Sequence, residues 1–142
     1  LARAKELGAS HGTNYKTNEQ WSKEVKKATG GAGVDHVIEV GGVGTLEQSI
    51  RSCRMGGHIS LVGVLAGPQA PLNLTLVLMQ DIRIQGVFVG PRESFEDMNR
   101  AIGQHKLKPV IDKVFSFGDL RAALDYTLAG KHFGKVCVTV GE

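Results

Sequence analysis

Residues 38–49 read IEVGGVGTLEQS: a β-branched run, three glycines in four positions, then a helical start. Strand, glycine turn and helix in that order is a layout that can hold phosphate, because a glycine-rich turn brings backbone N–H groups and a helix N-terminus close to an anion. A dinucleotide fingerprint needs G-x-G-x-x-G, with an acid about 20 residues later for the adenosine ribose. From Gly42 the match is Gly42-Val43-Gly44, but Glu47 stands where the third glycine should be. Leu61, Val62 and Gly63 occupy the place of the acid. The stretch therefore reads as a tight turn at the carboxyl end of a sheet strand, where ligands of α/β folds bind, and not as the phosphate loop itself.

Other chemistries are tested by the same spacing arguments. The acid-x-G-x-G-x-G signature of S-adenosylmethionine-dependent methyltransferases starts at Glu39-Val40-Gly41 and breaks at Val43. Five histidines (His11, His36, His58, His105 and His132) and two cysteines, Cys53 and Cys137, show no metal-ligand spacing, so no metal is expected on this segment. Serine, histidine and aspartate occur without a nucleophile–base motif, so no catalytic residue is assigned. Both cysteines fall among apolar neighbours and outside any C-x-x-C pair, as reduced core residues of a cytoplasmic protein would. Lys23, Lys26 and Lys27 lie beside Glu19 and Glu24 without interleaved aromatics, which reads as a solvated helix face and not a nucleic-acid footprint.

The elements that must position the turn follow from hydrophobic period. The chain has 142 residues, enough for one core, and no apolar run reaches the roughly 20 residues a membrane-crossing helix needs. Residues 1–7 read as helix up to Gly8, and an extended piece is expected around 12–15. Thr17 to Gln20 has capping-box spacing before Trp21, Val25 and Ala28 at helical period, with Gly30 and Gly31 as the stop. Residues 34–40 predict a strand, Thr45 to Gln48 a second capping box, and Leu46, Ile50 and Cys53 one helical face halted by Gly56-Gly57. Strands are expected at 58–64 and 82–89, with a short helix over 73–80 between them and a helix striped by Phe95, Met98 and Ile102 after them. After Pro109 the pattern changes to strand 110–117, helix 119–129 and strand 135–140. Alternating strands and helices predict an α/β fold around a mostly parallel sheet. The first residue is Leu1, already inside a helical pattern, which is expected of a piece of a longer chain.

Taken together, AKELGA (4–9), GGAGVDHVIEVGGVGTLEQSI (30–50), GGHISLVGV (56–64), IQGVFVG (84–90) and GKHFGKVCV (130–138) resemble the carboxyl-terminal part of the medium-chain dehydrogenase/reductase superfamily. The nearest groups are zinc-type alcohol dehydrogenases and quinone oxidoreductases. The resemblance implies a partial Rossmann-like, doubly wound sheet lacking its first two strands, with a strand–helix–strand tail. Residues 1–108 would be the remainder of an NAD(P)-binding domain and 109–142 a tail returning to a catalytic domain. The G-x-G-x-x-G turn, the residue choosing NAD or NADP, and any zinc-binding domain would precede Leu1.

By that resemblance, Val40 and Gly41 lie near the adenine and its ribose, and Val62, Gly63 and Val64 face the nicotinamide half. Val87 and Val89 would offer backbone groups to the nicotinamide carboxamide, and Lys135 would reach the pyrophosphate. For the valines, plain core packing is the competing expectation. The implied parent moves a hydride between a nicotinamide and an alcohol, aldehyde or quinone-like carbonyl, and the 82–89 strand is an edge available for homo-oligomer pairing. The alternatives are a non-catalytic nucleotide-binding or interaction module derived from such a domain and, third, an S-adenosylmethionine-dependent methyltransferase.

Overall fold

The computed structural model describes residues 1–69 and 71–141. Contacts divide the chain into two compact units, Leu1–Val89 and Gly90–Glu142. The first holds α1 (Ala2–Glu6), α2 (Trp21–Ala28), β1 (Val34–Glu39), α3 (Leu46–Ser52), β2 (Cys53–Leu61), α4 (Leu74–Met79) and β3 (Arg83–Gly86). Its sheet runs β1-β2-β3 with both pairings parallel, so the fold is α/β as the alternating pattern requires. The second unit holds α5 (Arg92–His105), β4 (Ile111–Ser116), a 3-10 turn at Phe117–Asp119, α6 (Leu120–Leu128) and β5 (Lys135–Thr139). There β4 and β5 pair in parallel and α6 packs on both.

The core of the first unit is small. Ile50, Cys53, Ile59 and Ile82 are buried together, with Val37, Leu46, Leu72, Leu76, Val77 and Ile84 packed around them. Strand alternation explains the selection: Val37 and Ile59 face the helices, whereas Ile38, one residue on, is 64% exposed on the opposite face. Lys26 ties this layer together, its ammonium donating to the carbonyls of Ala32 at 2.9 Å and Cys53 at 2.7 Å. Gly33 sits where a side chain cannot. Its φ is +97°, and an added Cβ would meet the Ser52 carbonyl oxygen at 2.6 Å and the Arg54 nitrogen at 2.7 Å.

The extended piece expected around 12–15 joins no sheet, and 15–17 are a turn in which the Asn14 carbonyl accepts from the Thr17 amide. Several other expectations are corrected. The first capping box does not form, since α2 starts after Gln20 and the Thr17 hydroxyl donates to the Asn14 carbonyl instead. The second fails too: Thr45 is the N-cap residue of α3 but its side chain bonds elsewhere, and Gln48 accepts from the Ser22 amide. At the first box the competitor is local, the Asn14 carbonyl three residues back; at the second, Gln48 is taken by Ser22 from another helix. Gly56-Gly57 does not end an element; β2 already begins at Cys53 and carries the glycines inside it. They sit in an irregular step, where β1 advances from Val34 to His36 while β2 advances from Cys53 to His58. The 82–89 strand is shorter than expected, with β3 covering Arg83–Gly86 only. Val87 makes a last bond to the Leu61 carbonyl at 2.9 Å, and because β2 ends there, Phe88 and Val89 have no ladder to join.

Truncating the core should separate these faces. Ile59→Ala is expected to lower stability by about 2–5 kcal/mol through lost burial and a cavity, whereas Ile38→Ala should change it by less than about 0.5 kcal/mol. Urea denaturation followed by circular dichroism checks both.

Candidate functional site

The carboxyl ends of β1 and β2 are laced together by backbone bonds. The Glu39 carbonyl accepts from Val62 N at 2.8 Å and Gly63 N at 3.2 Å. The Val40 carbonyl accepts from Leu65 N at 3.2 Å, and that of Gly41 from Ala66 N at 2.7 Å. Two glycines permit this closeness: a Cβ on Gly63 would lie 2.9 Å from the Val40 oxygen, and one on Gly42, whose φ is +79°, 2.8 Å from the Gly67 oxygen.

Beneath the turn lies a carboxylate. Glu39 is 3% exposed, and its Oε1 accepts from Gly41 N at 2.7 Å, Gly42 N at 3.0 Å and the Thr45 hydroxyl at 2.5 Å. Its Oε2 accepts from the Ser49 hydroxyl. Burial pushes this carboxyl up, but the hydrogen bonds from Ser49, Thr45, Gly42 and Gly41 outweigh it and hold the group below the usual glutamate range. An internal anion thus occupies the amides that a phosphate loop would offer to a ligand. Glu47, at the failed third glycine, lies outside this cluster and pairs with Arg51 at 2.8 Å.

Around the turn, Val40, Val62, Val64 and Val87 are 47–49% exposed and Val89 is 80% exposed. They are not core residues of this chain. Val40, Gly41, Val62, Gly63 and Val64 come together in the two laced loops, and Val87 joins them through its bond to Leu61. Lys135 belongs to the second unit; it is exposed, and its backbone N–H donates to the Val110 carbonyl at 2.8 Å. A cavity of about 800 Å³ shares none of these residues; it lies against α2 and is lined by His11, Asn14, Trp21 and Val25 among others.

The arrangement offers an apolar, glycine-floored surface without an exposed acid, suited to flat rings more than to phosphate. Among the described residues no three His, Cys, Asp or Glu side chains are grouped to hold a metal. Cys53 is fully buried, and burial pushes its thiol up against the opposing pull of the Lys26 ammonium, so it is no nucleophile. Sequence reasoning missed the role of Glu39. A lone acid ending an apolar strand, just before Gly41-Gly42 and with hydroxyls at Thr45 and Ser49, was the available signal.

The profile of the zinc-binding dehydrogenases matches residues 1–104. A zinc-type alcohol dehydrogenase-like protein of Schizosaccharomyces pombe is 42% identical over 99% of this chain and 42% of its own length. Quinone oxidoreductase-like protein 2 of Bos taurus is 25% identical over 96% of the chain and 42% of its own length. The crystal structure of an NAD-dependent alcohol dehydrogenase superposes with a TM-score of 0.86 at 32% identity, covering 99% of this chain and 41% of that one. The chain thus spans about two-fifths of the length of these relatives.

Replacing the buried carboxylate should loosen the turn. Glu39→Gln is expected to cost about 1.5–3 kcal/mol, the range for hydrogen bonds to a charged group, and Glu39→Ala more, since four donors lose their acceptor. Because the folded-state carboxyl is depressed, its contribution is fully present well above the unfolded glutamate value of about 4.3 and is lost as pH falls from there through the folded value. Urea midpoints measured across that acid window should fall more steeply for the native chain than for Glu39→Gln.

Proposed function

The chain belongs to the zinc-binding dehydrogenase family, and from that premise we propose that it is the coenzyme-binding portion of an NAD(P)-dependent oxidoreductase. The family is one of oxidoreductases, and the α/β fold here is shared with an NAD-dependent alcohol dehydrogenase. The parent reaction in this reading transfers a hydride between a nicotinamide and an alcohol, aldehyde or quinone-like carbonyl. The cofactor, when bound, supplies the hydride chemistry, and the protein supplies position.

The observation that carries the reading is the row of half-exposed valines over a glycine turn at the strand carboxyl ends, where α/β folds bind ligands. Val40 and Gly41 would lie under the adenosine half, and Val62, Gly63 and Val64 under the nicotinamide half. The backbone groups of Val87 and Val89 would orient the carboxamide, and the exposed Lys135 would meet the pyrophosphate. Residues 1–108 would form the remainder of the coenzyme domain and 109–142 the returning tail. The Gly41 and Gly42 amides are already bonded to Glu39, so phosphate must be held by other groups. No catalytic side chain is assigned to this segment, and the 142 residues alone are expected to lack turnover. No helix among the described residues is long and apolar enough to cross a membrane, and a cytoplasmic location is part of the same reading.

A titration of the ¹⁵N-labelled chain with NADH tests the proposal. Amide shifts concentrated at 40–41, 62–64 and 87–89 are expected; shifts scattered over other residues, or none at saturating cofactor, would overturn it. Lys135→Ala should weaken the same binding by about tenfold or more, the loss of one charge-assisted bond. Sedimentation is expected to reveal self-association through the β3 edge, and a monomer at high concentration would count against that pairing.

A further inference from the structure

Spacing along the chain hides a pair of histidines that the sheet brings together. His36 on β1 and His58 on β2 are register partners on one face, 22 positions apart in sequence, and their ring centroids are 4.7 Å apart at an interplanar angle of 68°. His36 Nε2 lies 2.7 Å from the Ser60 hydroxyl oxygen, two residues further along β2 on that face. The His58 ring has no hydrogen-bond partner among the described residues, is half-buried, and borders a cavity of about 440 Å³ with Gly56, Asp81, Ile82 and Arg83.

We propose that His36 and His58 form a two-imidazole chelating site for a divalent transition ion of the imidazole-preferring class, clipping β1 to β2. Geometry carries it. With metal–nitrogen bonds of about 2.0–2.1 Å and a metal–centroid distance near 3.2 Å, two rings on adjacent positions of one ion have centroids about 4.5–5.2 Å apart. The observed separation of 4.7 Å falls inside that range. The Ser60 contact adds the outer partner such ligands use: when Nε2–H donates to the Ser60 oxygen, Nδ1 keeps the lone pair. The remaining coordination positions belong to water, since among the described residues no third His, Cys, Asp or Glu is grouped with the pair.

The charged groups bordering the pair are Arg83, the register partner of His58 on β3, and Asp81 in the adjoining cavity. Asp81 offsets the Arg83 guanidinium's repulsion of an incoming cation. This site is independent of the coenzyme surface at the strand carboxyl ends.

The test uses the full chain with Ni²⁺ and Zn²⁺ chlorides near pH 7.5, about one unit above the ordinary histidine value. Calorimetry is expected to show one ion per chain, with affinity reduced about tenfold or more by either His36→Asn or His58→Asn. His11→Asn and His105→Asn should leave it unchanged. In the native chain, which removes any question of variant folding, sub-stoichiometric Ni²⁺ should broaden the ring signals of His36 and His58 before those of the other three histidines. Equal broadening of all five, or affinity untouched by either substitution, would overturn the site.

Discussion

The Glu39 carboxylate is the constraint on which the carboxyl end of the sheet depends. It ends β1, is removed from water, and gathers two backbone amides and two hydroxyls from the following turn and α3. A buried charge is costly unless its lone pairs are met, and here four donors meet them. The turn geometry follows, because Gly41 and Gly42 must point their N–H groups back toward the strand. From there the 61–67 loop is drawn in against 40–43, and the valines are left facing outward.

That arrangement explains why the glycine turn resembles a phosphate loop while lacking its function. Both use glycines to aim amides at an anion near a helix start. In this chain the anion is covalently attached one residue before the turn. What remains exposed is the apolar upper surface, a better match for rings than for phosphates.

Much of this was legible in the sequence. The spacing of apolar residues located β1, α3, α4, α5 and α6. The motifs located the family. What failed was local chemistry with tertiary competitors: Thr45 bonds Glu39 and Gln48 bonds Ser22, so a capping-box pattern was present without a capping box. Gly56-Gly57 looked like a stop because sequence cannot tell a chain terminator from a bulge within a strand. The His36–His58 contact was invisible for a related reason, since a parallel register joins residues that spacing rules treat as unrelated. The half-exposure of Val40, Val62 and Val64 was equally hidden, as β-branched residues read alike on a core face and at a strand end.

The irregular step between β1 and β2 has a bearing on how this sheet can vary. From His58 to Leu61 the two strands run residue for residue, while before it the pairing skips from Cys53 across Arg54–Gly57. Slack in the sheet is therefore confined to its amino end. Insertions or deletions near residues 54–57 can be absorbed as a larger or smaller bulge, leaving the opposite end in register. The same change made after His58 would turn every following side chain over, setting Ile59 outward and Ser60 into the core. The two ends of one strand thus tolerate length change very differently, and the intolerant one carries the laced 40–43 and 61–67 loops.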